Sequence, residues 1–358
     1  MTNFHKRLEK LRIQMGNKNL DCLYITKTTN VKYMTGFTGS AGQFILTEKD
    51  AIFLTDSRYT EQSQKQVTNA QIHIIEKGYV ALIKKLNVFK NGMKVGFESI
   101  HTSVKLYNDI NKEFEQIKFI PTEELVEDLA AVKDMDEINS LKAAIEITDS
   151  VFDEILPEMK EGAVEKNIAA KISYLFKLNG AEGDSFDTII ASGIYSALPH
   201  ASPSDKAFEK GDFVVMDFGA KFEGYHADMT RTVVVGEATD RHREIYDIVR
   251  GSNLAGIDAA KAGVTGAFVD AACREYIDKR GYGDKFIHST GHGIGLEVHT
   301  SPRLYKENNT PLEENNVVTI EPGIYIPDFG GVRIEDDIWI QSDGCTPLNR
   351  STKDLIVV

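Results

Sequence analysis

Four carboxylates, each placed where an apolar strand pattern meets a turn, constrain this chain more than any other feature. Asp217 closes the run Val214-Val215-Met216, and Asp228 lies on the segment that returns from it. Glu321 follows Val317-Val318-Thr319-Ile320, and Glu335 follows Val332-Arg333-Ile334. An ionised carboxylate at the buried end of a strand is costly unless a charged partner meets it. A hairpin holds its two strands about 5 Å apart, so Asp217 and Asp228 can share one space, and a second hairpin repeats the arrangement with Glu321 and Glu335. Four such acids repel one another unless cations lie between them. His292, in a glycine-rich segment, adds an imidazole to the set. Four carboxylates and one imidazole suit two hard or borderline divalent cations. Two cations about 3.5–4 Å apart can clamp both ends of a hydrolytic displacement. The set points to a dinuclear metallohydrolase.

The rest of the chain narrows that reading. At 358 residues it has room for two domains and a large core. A net charge of −13 argues against nucleic acid as a partner, which needs a basic field. Cys22, Cys273 and Cys345 are odd in number and far apart, which fits a reducing cytoplasm and small buried hydrophobes rather than disulfides or a cysteine zinc cage. No apolar leader and no membrane-length apolar run is present, so no membrane partner is expected and a cytoplasmic location is.

Up to about residue 122 the pattern alternates between strand and helix. Residues 22–26 read as a buried strand, 43–46 and 51–55 as a hairpin, 61–66 as a helix and 95–98 as a short strand. Residues 33–42 read as a glycine-punctuated turn; no Gly-Lys-Ser/Thr follows, so this is not a phosphate loop. A boundary falls near residues 121–136. Beyond it, residues 138–155 and 164–176 read as helices, with Asp134 or Asp136 capping the first, and residues 241–261 and 266–279 repeat the pair. Strands are expected at 213–218, 226–235, 316–320 and 332–340, with a turn at 219–224. The C-terminal part thus reads as two helix-pair-plus-hairpin units in tandem.

Histidines fill in the chemistry. His288, His292 and His299 fall within twelve residues among glycines that admit close backbone approach. His200 sits in a proline- and serine-rich loop able to present an imidazole to a cleft, where a plain surface histidine is the competing reading. The chain holds no His-Glu-x-x-His pair, no Gly-x-Ser-x-Gly elbow and no Walker loop.

These motifs carry a resemblance. Met216-Asp217-Phe218-Gly219, the segment from Tyr225 to Thr232, Gly291-His292-Gly293-Ile294-Gly295 with His299, Glu321-Pro322-Gly323 and Arg333-Ile334-Glu335-Asp336 are similar to those of the pita-bread metallopeptidases. Within that group the chain most resembles aminopeptidase P and the prolidases, which cleave Xaa–Pro bonds. Tyr33 to Gly42 and Phe53 to Tyr59 resemble the creatinase-like N-domain of the same group. The resemblance implies an α/β (α+β) architecture, with a creatinase-like domain over residues 1–125 and a pita-bread catalytic domain over 126–358. It implies Asp217, Asp228, His292, Glu321 and Glu335 as ligands of two divalent ions, with Asp228 and Glu335 bridging. It makes His200 and His299 donors to the oxyanion, Glu321 the proton shuttle, and His288 and Arg333 the lining of the proline pocket. Thr300 departs from the group, many of whose members carry an acid there, and an effect on fine specificity is expected.

The implied activity is metal-assisted hydrolysis before proline in peptides with proline at the second position. An Xaa-Pro aminopeptidase is the first expectation and an Xaa-Pro dipeptidase the alternative. Mn²⁺ is the expected metal, with Co²⁺, Zn²⁺ or Fe²⁺ as competitors, and a homodimer is the expected assembly. Creatinase chemistry does not need five metal ligands, methionine aminopeptidases ordinarily lack the N-domain, and a non-catalytic binding relative would be expected to lose ligands or gain basic surface.

Overall fold

The computed structural model describes residues 3–358, which divide into two compact units, one up to Ala130 and one from Ala131. The first unit is a six-stranded sheet in the order β4-β3-β2-β1-β5-β6. Its strands are β1 (Cys22–Ile25), β2 (Gly42–Thr47), β3 (Ala51–Asp56), β4 (Gln71–Ile75), β5 (Lys94–Glu98) and β6 (Lys118–Thr122). Five helices accompany it: α1 (Asn3–Asn17), α2 (Thr28–Thr35), α3 (Thr60–Gln66), α4 (Tyr79–Leu86) and α5 (Val104–Glu113); α6 (Leu125–Ala131) reaches the division. Strands β1 to β3 pair antiparallel, and the outer pairs are parallel. All four residues of β1 are buried, as its unbroken apolar run requires. The turn expected from residue 33 begins later, because α2 continues through Thr35 and ends at Gly36, whose φ of 78° an L side chain adopts poorly.

The second unit carries the tandem arrangement. Helices α7 (Met135–Ile155) and α8 (Glu165–Leu178) pack Phe152, Ile155, Ile172 and Phe176 on Val214, Met216, Phe218 and Met229. Helices α9 (Asp240–Ala259) and α10 (Gly266–Asp278) pack Val249, Val269, Cys273 and Ile277 on Val318, Ile320, Ile338 and Ile340. Asp134 caps α7: its side chain accepts from the backbone N–H groups of Asp136 and Glu137, while Glu137 accepts the N–H of Asp134.

Its strands are β7 (Gly183–Asp184), β8 (Ile189–Ser192), β9 (Phe213–Phe218), β10 (Ala220–Phe222), β11 (Tyr225–His226), β12 (Met229–Val234), β13 (Gly291–Gly293), β14 (Thr300–Leu304), β15 (Val317–Ile320), β16 (Gly323–Ile326), β17 (Gly330–Arg333), β18 (Asp336–Ile340), β19 (Cys345–Pro347) and β20 (Ile356–Val357). One sheet runs β20-β12-β9-β8 and another β14-β13-β15-β18-β19.

Two expected strands are each broken in two. The return strand 226–235 splits into β11, which pairs with β10, and β12, which pairs with β9. Likewise 332–340 splits into β17, paired with β16, and β18, paired with β15. The breaks fall at Asp228 and Glu335, whose backbone N–H groups leave their own ladders. That of Asp228 goes to Asp337 Oδ2 at 3.1 Å, and that of Glu335 to the Thr230 carbonyl at 3.1 Å. The turn expected at 219–224 likewise contains β10, and the chain reverses at Glu223 and Gly224.

Candidate metal centre

Asp217 projects from β9, where it stands opposite Thr230 of β12. Asp228 and Glu335 sit at the two strand breaks, Glu321 just beyond β15, and His292 at the centre of β13. Glycines flank His292 because the chain is crowded there: a Cβ on Gly291 would stand 1.9 Å from the Thr319 carbonyl oxygen, and one on Gly293 2.2 Å from that of Ser301.

Asp228, His292 and Glu335 each offer a ligand atom, all within 4.8 Å of one another and all on buried residues. His292 Nε2 is 3.7 Å from Asp228 Oδ2 and 3.4 Å from Glu321 Oε1. Asp217 Oδ2 accepts from Arg333 Nη2 at 2.5 Å. Asp217 Oδ1 and Glu335 Oε1 are buried with no hydrogen-bond partner among the described residues.

The electrostatics are those of a site short of positive charge. Burial raises the Asp228 carboxyl well above the ordinary carboxylate range, and Glu335, Asp217, Asp337 and Glu321 raise it further. Burial does the same to Glu335, reinforced by Glu321 and Asp217. Glu321 is pushed up to about 8 by burial, against the pull of Arg333. Burial brings His292 down to about 3, helped by His299 and Arg303, so its imidazole is neutral and able to act as a ligand. Orphaned buried oxygens, mutually raised carboxyls and a neutral imidazole fit a group of divalent cations.

The other expected residues surround this cluster. The His299 ring lies 4.4 Å, centroid to centroid, from that of His292, and both His299 and His200 are exposed. Arg333 is buried, donating through Nε to Thr230 Oγ1 at 3.0 Å and through Nη1 to the Tyr325 hydroxyl at 2.8 Å and the Pro199 carbonyl at 3.3 Å. His288 Nε2 meets the same Tyr325 hydroxyl at 2.9 Å. Burial and Arg333 lower His288 to about 3, so it too is neutral.

Three supporting residues were not singled out from the sequence. Thr230 donates its hydroxyl to Glu335 Oε2 at 2.6 Å while accepting from Arg333. Tyr325 joins His288 to Arg333, and Asp337 receives the Asp228 N–H. The available signal was alternation, since Thr230 is two residues from Asp228 and Asp337 two from Glu335.

Comparisons with known proteins agree with this architecture. The Creatinase/Prolidase N-terminal domain matches residues 7–132, and Metallopeptidase family M24 matches residues 139–342. The chain belongs to metallopeptidase family M24, with a creatinase-like N-terminal domain before the pita-bread metallopeptidase domain. A solved Xaa-Pro dipeptidase from Bacillus anthracis is 42% identical, with a TM-score of 0.94 over 99% of this chain and 100% of its own. The Xaa-Pro dipeptidase of Pyrococcus furiosus is 38% identical over 98% of this chain and 99% of its own length. A solved X-Pro aminopeptidase from Thermotoga maritima is 38% identical, with a TM-score of 0.88 over 95% of this chain and 98% of its own. Among the described residues no helix is long and apolar enough to cross a membrane.

Proposed function

We propose that this chain is an Xaa-Pro dipeptidase that uses two divalent metal ions. The observation that carries the reading is the buried Asp228–His292–Glu335 cluster, with Asp217 and Glu321 beside it, in a chain that aligns end to end with Xaa-Pro dipeptidases. This favours the second of the two activities expected from the sequence over the aminopeptidase.

Asp217, Asp228, His292, Glu321 and Glu335 would hold the cations, which supply Lewis acidity to the scissile carbonyl and to the attacking water. His200 and His299 donate hydrogen bonds where charge develops on the carbonyl oxygen. Glu321 carries a proton to the departing proline nitrogen. Neutral His288 and Tyr325, braced by Arg333, form the wall against the proline ring. Arg303 is exposed on β14 and close enough to weigh on both His292 and Glu321. Its guanidinium suits the free carboxylate of a dipeptide, which a longer peptide lacks at that position.

The reading takes Mn²⁺ as the metal, on the strength of four carboxylates to one imidazole. It takes residues 1–125 and 126–358 as the domains; two compact units support a two-domain chain, and they divide slightly later, between Ala130 and Ala131. It takes the enzyme as a cytoplasmic homodimer, and the unpaired Cys22, Cys273 and Cys345 support a reducing compartment.

Hydrolysis of Ala-Pro, Ala-Pro-Ala and Ala-Pro amide by metal-stripped protein, with and without Mn²⁺, tests the proposal. Mn²⁺-dependent cleavage of Ala-Pro at least about tenfold faster than of the other two is expected, a tenfold ratio being about 1.4 kcal/mol. Equal cleavage of Ala-Pro-Ala restores the aminopeptidase reading, and cleavage of none under any divalent metal removes both.

A further inference from the structure

The loop of residues 193–203 presents His200, and its stems are held by the β8–β9 ladder, by the Lys166 N–H donating to the Ser204 carbonyl, and by Glu165, the first residue of α8, which is fully buried. Its Oε1 accepts the Ser192 backbone N–H at 2.7 Å and the Ser192 hydroxyl at 2.7 Å. Its Oε2 accepts the Ser204 backbone N–H at 2.8 Å and the Ser204 hydroxyl at 2.6 Å. Ser192 ends β8, whose neighbour is the Asp217 strand β9. Ser204 lies just beyond the loop. One carboxylate therefore joins the two stems, each by a backbone and a side-chain donor.

No cation lies within ion-pair distance of Glu165 among the described residues. Four hydrogen bonds and the positive end of α8 offset the cost of burying this charge. An apolar plug would fill the same volume as stably, as replacements of buried charges often do. What a plug lacks is register, because only an acceptor pair fixes which atoms of the two stems meet. The loop's far side is fastened as well. Ser196 Oγ accepts the Gly331 N–H at 2.8 Å, and the Pro199 carbonyl accepts from Arg333. Pro199 adjoins His200, so a shift of the stems moves the backbone next to that imidazole.

We propose that Glu165 is a positioning residue for catalysis, a clasp that closes the neck of the loop and sets where His200 meets substrate. This rests on the role given to His200 above. An error of about 1 Å in placing such a group costs up to about a hundredfold in rate.

The test compares Glu165→Gln, His200→Ala and the double variant in the full-length, Mn²⁺-loaded protein. The amide of glutamine turns donors towards one serine's donors while keeping the volume. Glu165→Gln is expected to lower kcat/KM for Ala-Pro about tenfold to a hundredfold, with Mn²⁺ affinity within about twofold of the parent. In the His200→Ala background it is expected to change nothing further. Hydrogen exchange is expected to quicken in residues 193–203 and stay unchanged in β12 and β15. Losses that multiply in the double variant, or exchange in the loop that matches the parent, would overturn the proposal. Should the parent itself not cleave Ala-Pro, the functional reading fails, and the exchange arm still decides whether the clasp exists. Should Glu165→Gln not fold, Ser192→Ala and Ser204→Ala each remove one hydroxyl donor. The same non-additivity with His200→Ala is then expected, and simple multiplication again counts against it.

Discussion

The second unit buries two arginine–aspartate pairs, and they are built to opposite ends. In the first, all five N–H donors of Arg231 are used. They reach the Thr352, Thr230, Glu335 and Ser351 carbonyls and Asp336 Oδ1, the last at 2.7 Å. Lys353 takes the other Asp336 oxygen at 2.5 Å. Burial alone would raise Asp336, but Arg231 and Lys353 outweigh it and hold the carboxyl below its ordinary value. The second pair, Arg333 with Asp217, leaves Asp217 Oδ1 without a partner and faces Glu321 and Glu335. A neutralised pair with every polar atom satisfied is a staple between strands. A pair outnumbered by acids is a place where something positive binds.

The comparison breaks most sharply at Glu335. Glu335→Ala is expected to abolish cooperative binding of two Mn²⁺ and to lower Ala-Pro hydrolysis by more than about a thousandfold, about 4 kcal/mol of transition-state stabilisation. The metal-free variant is expected to melt no lower than its metal-free parent, because one of the mutually repelling carboxylates is gone. Calorimetric Mn²⁺ titration with steady-state kinetics checks this, and full activity at saturating metal would remove Glu335 from the ligand set.

Arg231→Met is the mirror experiment. It leaves Asp336 with one cation and strands several buried carbonyls, so a loss of about 3–5 kcal/mol in urea unfolding is expected. A loss below about 1 kcal/mol would mean that the staple contributes little.

The smallest effect is the most diagnostic. Asp228, Glu335 and Glu321 have folded-state values raised above the ordinary range, so the native metal-free protein binds the extra protons. That stabilisation is complete at low pH and is lost as pH rises, for Glu321 through about 8. His288 and His292, lowered to about 3, act oppositely, but only below about pH 6.5. Metal-stripped protein is therefore expected to gain on the order of 1 kcal/mol as pH falls from about 8 to about 6.5. Saturating Mn²⁺ is expected to flatten the slope. Asp336 runs the other way, since its stabilisation is present above its ordinary value and lost only in acid. Urea midpoints across that range decide the matter, and a flat metal-free profile would count against the crowding of carboxylates.

Much of this was legible in the sequence because the acids interrupt apolar strands, and an interruption of that kind is local. The helix pairs were legible for the same reason, their apolar spacing and the Asp134 cap being visible within one or two turns. The breaks at Asp228 and Glu335 were not. Residues 332–340 satisfy the pattern of a single strand, and what divides them is the bond from Glu335 to Thr230, between segments about a hundred residues apart. The Glu165 clasp was hidden likewise, since a glutamate at the start of a helix has an adequate local explanation in the helix dipole. The preference for the dipeptidase came from whole-chain likeness, because an exposed group such as Arg303, proposed above to meet the dipeptide's carboxylate, follows no periodic pattern.

The pairing of β12 with β20 has a consequence for how the molecule is made. Arg231 donates to Thr352, a residue 121 positions further along, and β12 gains its parallel neighbour only when residues 356 and 357 exist. At about 5–20 residues per second of synthesis, that edge of the sheet stays unpaired for roughly 6–25 s. The first unit, complete by Ala130, has every strand of its sheet in hand long before then. During translation the nascent chain therefore carries a finished first unit for seconds while Val233 and Val234 still await their neighbour.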